Sequence, residues 1–280
     1  MALRIARAIG TAMRSRFTSR DPVYNPFANV SLEVRDVELK LSCWFHIDRQ
    51  FYSASAIKAT ILAGLLFKAE DQHRDLTRQE KDTAWLMITR SDNDAATALW
   101  NDVGLPAMRH FLHVAGMRQT LPNTWGAWGL TVITAHDETI LLRLLTSPAH
   151  VLTTAARRYE LNLMNHVIAS QAWGVRAGAP KRLSWHIKNG WAPLPDLTSS
   201  PWVVNSIGCF AGKSPSYSIV VLTHENPGSD PSYGIGTIES VAWAVNRGLN
   251  PGAAPVWPRV MRQLVPRVPD EALPRPPASG

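Results

Sequence analysis

Residues 51–70 read Phe-Tyr-Ser-Ala-Ser-Ala-Ile-Lys-Ala-Thr-Ile-Leu-Ala-Gly-Leu-Leu-Phe-Lys-Ala-Glu, and the rest of the chain is best read outward from them. From Ser55 to Glu70 the pattern predicts a helix that is apolar nearly all round, through Ala56, Ile57, Ala59, Ile61, Leu62, Leu65, Leu66 and Phe67. Such a helix is buried. Lys58 interrupts it one turn after Ser55 and on the same face. Desolvation lowers the pKa of an amine in apolar surroundings. A neutral amine beside a hydroxyl can take its proton, so Ser55 becomes a nucleophile without a histidine. Ser55 also opens the helix, where unpaired N–H groups can hold a developing oxyanion. The plainer reading is a capping serine followed by a snorkelling lysine. The S-x-x-K spacing by itself is weak, because it arises about once by chance in a chain of this size.

Two later triplets change the balance. Ser91-Asp92-Asn93 falls between two predicted helices, and Lys188-Asn189-Gly190 lies on a predicted strand. All three residue types of the first triplet cap helices well, so a structural reading stands beside the chemical one, for Asp92 above all. In the chemical reading Ser91 relays a proton to the leaving group, while Asn93 offers its amide to substrate and to Lys58. Lys188 is then a cation that steadies Ser91 and the substrate. Gly190 lets a ligand approach the backbone closely, and the Trp191 N–H is a second oxyanion donor.

Working outward, Asn29–Glu38 and Lys40–His46 read as two short strands. A helix follows Ser55–Glu70, capped by Thr77 and Glu80 and ending near Arg90. Short helices are expected at Asp94–Trp100, Pro106–Ala115, Ala135–Leu145 and Thr154–Ile168, with Thr134 and Asp137 as another capping box. Met117–Thr134 is a structured loop rich in Gly, Trp and Pro. Leu183–Trp191, Trp202–Phe210 and Tyr217–His224 read as strands, and Ile235–Arg247 as a closing helix. Strands at both ends and helices between them predict an α+β fold, mostly one antiparallel sheet flanked by helices, with an inserted helical subdomain at about 68–180. The expected organisation is an N-terminal arm at 1–21, one domain at 22–249 and a Pro-rich tail at 250–280.

The order and setting of the three motifs resemble the class A β-lactamase and D,D-peptidase superfamily, the penicillin-recognising serine enzymes. The stretches "FYSASAIK", "MITRSDNDAATALW" and "KNGW" are also similar to β-lactamase-like serine hydrolases of actinobacteria. The resemblance spans about residues 22–249. It implies a β-lactamase/transpeptidase-like fold and a covalent acyl-enzyme on Ser55.

The chain departs from that pattern in three places. Class A β-lactamases carry a glutamate in the loop after S-D-N to activate the deacylating water, but no Asp or Glu occurs from Gly104 to His136. Trp125 and Trp128 occupy that loop; they either wall an apolar acyl pocket or simply pack. His136 and Asp137 are expected to cap the next helix, and Glu160 lies too far along to serve. On the substrate side, Asn189 replaces Thr or Ser, Trp191 replaces a smaller residue, and no Arg, Lys or His occurs between Lys188 and Lys213. A carboxylate site without its charged partner loses roughly 2–5 kcal/mol. Third, Arg7 and Arg14 interrupt Met1–Phe17, which makes a poor secretory signal and favours the cytoplasm, whereas the resemblance implies export.

The expected function is therefore acyl transfer through Ser55 without fast hydrolysis of a penicilloyl adduct: a peptidase, esterase, amidase or transacylase acting on a small-molecule or peptide acyl group. The second reading is a catalytically idle binding or sensor domain of the same fold, and the third a slow β-lactamase. The two cysteines, Cys43 and Cys209, form no framework and no metal spacing, and no metal or cofactor is expected.

The net charge of +7 comes from the ends. Residues 1–20 carry five Arg and no acid, and residues 251–280 carry four Arg against Asp270 and Glu271; removing these from totals of 29 and 22 leaves the middle formally neutral. That is not the basic stripe of a nucleic-acid binder, and no such partner is expected. Arg4, Arg7 and Arg14 fall on one helical face and Leu3, Ile9, Met13 and Phe17 on another. The segment is expected to dock on the domain. The alternative is weak membrane-surface contact through residues 1–18.

Overall fold

The computed structural model describes residues 7–12, 29–148, 150–194, 201–211 and 216–254. Strands β1 (Val30–Asp36) and β2 (Leu41–Phe45) form a hairpin near the start, and β5 (Ser184–Pro193), β6 (Trp202–Ala211) and β7 (Tyr217–Asn226) follow near the end. They make one antiparallel sheet in the order β2-β1-β7-β6-β5, which leaves β5 as an edge. A ribbon of β3 (Phe51–Tyr52) and β4 (Val132–Ile133) stands apart. Two residues are too few to show a period-2 pattern, so neither strand of the ribbon was legible in the sequence.

The sheet is buried on both faces. Side chains alternate along a strand, and β7 sends Ile219 and Val221 to one core and Val220 and Leu222 to the other. The first core is closed by α8 (Ser232–Leu249), whose Ile235, Ile238, Val241, Ala242, Val245 and Leu249 repeat at helical spacing. Ile9, on the short helix α1 (residues 7–12), is buried in the same core, so this turn docks on the domain. Leu3, Arg4, Met13, Arg14 and Phe17, and the Pro-rich tail from 255, lie outside the described residues.

Six helices build the other side: α2 (Ile57–Asp71), α3 (Arg78–Trp85), α4 (Asn93–Val103), α5 (Leu105–Ala115), α6 (Ala135–Thr146) and α7 (Thr154–Asn165). Helix α2 runs through the middle of this core, buried all round as its composition demands. The protein is an α+β structure, an antiparallel sheet flanked by helices.

Local caps follow the sequence in part. Thr77 Oγ1 accepts from the Glu80 N–H and the Glu80 carboxylate accepts from the Thr77 N–H, a complete capping box. At Thr134 only half forms: its hydroxyl accepts from the Asp137 N–H, but the Asp137 carboxylate turns to the Gln119 N–H and the Thr120 hydroxyl, both at 2.8 Å. The helix expected to run to Arg90 instead ends at Trp85 and continues as a π turn, Leu86–Arg90. Among the described residues no helix is long and apolar enough to cross a membrane.

Candidate active site

Strand β3 leads into a tight turn. The Ser53 N–H donates to the Thr131 carbonyl at 2.9 Å, the chain reverses at Ala54 with φ +44°, and a 3-10 turn (Ala54–Ala56) opens directly into α2. Ser55 sits in that turn, 8% exposed. Lys58 follows in the first turn of α2 and is completely buried. Its Nζ donates to the Ser91 carbonyl at 2.6 Å and Asn93 Oδ1 at 2.7 Å, and lies 3.3 Å from Ser91 Oγ. Among the described residues, Ser55 hydrogen-bonds to neither lysine. Burial holds the Lys58 ammonium well below the ordinary lysine value; the charge of Lys188 lowers it further, and Asp92 opposes both.

Ser91 owes its position to the π turn. One extra residue per turn shifts the chain and leaves Ser91 in the left-handed region, φ +58°. Asp92 then caps α4, its Oδ1 accepting from the Ala95 N–H at 2.8 Å. Its side chain is therefore a structural cap, the first of the two readings. Asn93 opens α4 and turns its amide oxygen to Lys58.

From the opposite side, β5 delivers Lys188, buried, with Nζ 2.8 Å from Ser91 Oγ and 2.9 Å from the Asn189 carbonyl. Burial brings its pKa down to about 7. One hydroxyl thus stands between two amines. If both amines were fully charged, repulsion in a dry site would be severe, and burial relieves it by favouring loss of a proton.

The alternation of β5 separates the residues of the third motif. Gly190 faces the Ser53–Ala56 turn: a Cβ there would lie 2.4 Å from Ala56 N and 2.7 Å from Ser55 N. The room expected for a ligand is taken by the protein's own backbone. Asn189 and Trp191 turn the other way. The Asn189 amide donates to the Gln171 and Trp173 carbonyls at 2.7 and 3.2 Å and accepts from the Ser206 hydroxyl at 2.6 Å. Its hydrogen-bonding capacity is largely spent inside the molecule, so the expectation of a substrate-binding side chain is corrected. The Trp191 ring packs edge-on against Trp173 in the α8 core, 5.6 Å between centroids. Only its backbone remains available to a ligand.

The two loop tryptophans also part company. Trp125 is 68% exposed, its backbone N–H held by Asn123 Oδ1 at 2.9 Å. Trp128 lies over Lys58, with Nζ 4.7 Å from the ring centroid, and anchors its indole N–H on Thr97 Oγ1 at 3.1 Å. That contact also favours the charged amine, by about 0.5–2 kcal/mol. Glu160 and Glu138 are wholly buried on α7 and α6, and among the described residues none of their carboxylate oxygens has a hydrogen-bond partner. Asn205, on β6, escaped the sequence reading; it bonds the chain just before Ser55 and has no local signal, since its partners lie some 150 residues away in sequence. Among the described residues no group of three or more His, Cys, Asp or Glu could hold a metal.

A family model described as the beta-lactamase enzyme family matches residues 79–248. No curated protein sequence matches. Among solved structures, a class A beta-lactamase from Bacteroides cellulosilyticus is 14% identical, covering 89% of this chain and 98% of its own, with a TM-score of 0.72. A beta-lactamase from Xanthomonas campestris pv. campestris is 16% identical, covering 88% and 97%, with a TM-score of 0.68. The protein PBP-A is 19% identical, covering 86% and 95%, with a TM-score of 0.68. At these identities the likeness is one of fold.

Proposed function

Because the chain belongs to the beta-lactamase enzyme family, we propose that it is a serine acyl-transfer enzyme in which Ser55 is the nucleophile and Lys58 the base. The observation that carries the reading is the meeting of Lys58, Ser91 and Lys188, from a helix, a turn and a strand, around one hydroxyl. In neutral form the Lys58 amine has two hydrogens, matched by the Ser91 carbonyl and Asn93 Oδ1. Its lone pair is then left for a hydroxyl proton.

In the proposed reaction Ser55 Oγ bonds to the acyl carbon as its proton passes to Lys58. The carbonyl oxygen takes the charge and is held by the Ser55 N–H at the head of the helix and the Trp191 N–H of the edge strand. The carbon–leaving-group bond then breaks, and the leaving group takes a proton from Ser91 Oγ, which recovers one from Lys58. Lys188 holds Ser91 in place for that transfer.

Deacylation is the step for which the chain is poorly equipped. The segment from Gly104 to His136 has no carboxylate, and Trp128 lies across Lys58. A water beside the acyl carbon has little help there, so an acceptor other than water is favoured. The activity class is peptidase, esterase, amidase or transacylase, acting on a small-molecule or peptide acyl group. The same indole favours a second reading, a slow β-lactamase that holds penicillin as a lasting adduct.

The test is intact mass after incubation with a fluorophosphonate and with penicillin G, in the native chain and in Ser55→Ala. A variant of PBP-A has been solved as an acyl-enzyme complex with penicillin G, which makes that compound a natural probe. Mass gain in the native chain alone supports the enzyme. A native chain that no probe labels would be a binding scaffold. Rapid turnover of a chromogenic cephalosporin would overturn the assignment of slow hydrolysis.

A further inference from the structure

Asn205 is fully buried on β6, directly across from Gly190 of β5. Paired residues in an antiparallel ladder point to the same face. The missing side chain at 190 leaves a seat for the turn Ser53–Ala56, and Asn205 grips that turn. Its Nδ2 donates to the Tyr52 carbonyl at 2.9 Å and the Ser53 carbonyl at 3.1 Å, while Oδ1 accepts from the Thr223 N–H at 3.2 Å. The side chain is thus braced against β7 and tied to two consecutive peptides of the turn.

The next residue is Ala54, with φ +44°. A residue with a Cβ is strained in that region, and such strain persists only where the surroundings hold it. The backbone bonds from Ser53 N–H to Thr131 and from Ala56 N–H to Ser53 help, as does the Ser53 hydroxyl on the Gly129 carbonyl. Among the described side chains that hold the turn, only Asn205 fixes both carbonyls that precede the strained residue.

We infer that Asn205 is the positioning residue of the nucleophile: by clamping the Tyr52 and Ser53 carbonyls it holds Ala54 in its left-handed conformation and thereby aims Ser55. Asn205 touches no reacting atom. The inference rests on the reading of Ser55 as nucleophile, and the experiment separates the two.

The experiment is a double-mutant cycle read as the rate of Ser55 labelling by a fluorophosphonate. Asn205→Asp keeps the acceptor for Thr223 and the volume, but replaces the donor facing two carbonyls by a carboxylate oxygen. In the Ala54 background it should slow labelling by about 10–10²-fold. Glycine adopts positive φ without strain, so in an Ala54→Gly background the same Asn205→Asp change should cost much less. A purely structural role for Asn205 predicts the same loss in both backgrounds, and that result overturns the inference. If Asn205→Asp does not fold, Asn205→Ala, which also removes the donor, is read in the same two backgrounds, and an equal loss of labelling in both overturns the inference. Failure of the native chain to label ends the Ser55 reading and the inference with it. A labelled native chain with an equally fast Asn205→Asp ends the inference alone.

Discussion

Replacing Gly190 by alanine tests how closely the edge strand and the Ser53–Ala56 turn are fitted. The added carbon would lie 2.4 Å from Ala56 N, 2.7 Å from Ser55 N and 2.8 Å from Ser53 O. Every one of these is a backbone atom, so no rotamer change relieves the contact. Ordinary van der Waals contact begins at 3.4 Å. The strand must therefore retreat from the turn by about 1 Å, and displacement on that scale costs about 10²-fold when reacting groups are involved. Overpacking adds a stability cost of about 1–3 kcal/mol. For a domain of this size that lowers the melting temperature by roughly 2–12 °C. The assay is fluorophosphonate labelling followed by intact mass, run beside a thermal melt of the same sample. Labelling should collapse at temperatures where Gly190→Ala is still folded, because the displacement falls on Ser55 and on the Lys188 strand together. A variant that labels and melts like the native chain would refute the fit.

Other outcomes follow from the buried charges. The rate of Ser55 acylation should be bell-shaped in pH. Losing the first proton from the Lys58–Lys188 pair creates the base and raises the rate; losing the second removes the cation beside Ser91 and lowers it. A rate that stays flat through neutrality and rises only near the ordinary lysine value of about 10.4 would exclude a desolvated amine as base. Lys58→Met should abolish labelling by about 10²–10⁴-fold without unfolding the chain, since it removes a base from an apolar helix. Burial, reinforced by Asp137, raises the Glu138 pKa to about 8. The unfolded chain releases that proton near 4.5, so stability falls as pH rises between the two values, by about 1.4 kcal/mol per pH unit. Glu138→Gln should flatten that decline. Chemical denaturation at pH 5 and pH 8 measures it, and equal slopes in both proteins would contradict a buried, protonated Glu138.

The sequence alone determined most of the elements and the burial of Lys58. The α2 helix and the β7 strand write their burial into unbroken apolar runs and α8 writes its own into a helical period, because burial on all sides or on one side shows directly in local composition. Ser55, Lys58, Ser91 and Lys188 stood out as candidates because one common spacing and two rarer triplets occurred in order, and folding brings Lys58, Ser91 and Lys188 together. Tertiary structure decided the rest. It turned Asn189 and Trp191 away from the cleft, since a strand alternates faces and only packing tells which face is which. It gave Gly190's space to the Ser53–Ala56 backbone, left Trp125 outside and laid Trp128 over Lys58. It brought Asn205 to a turn some 150 residues earlier in the chain. Contacts of that kind depend on which surfaces meet after folding, and no pattern along the chain records them.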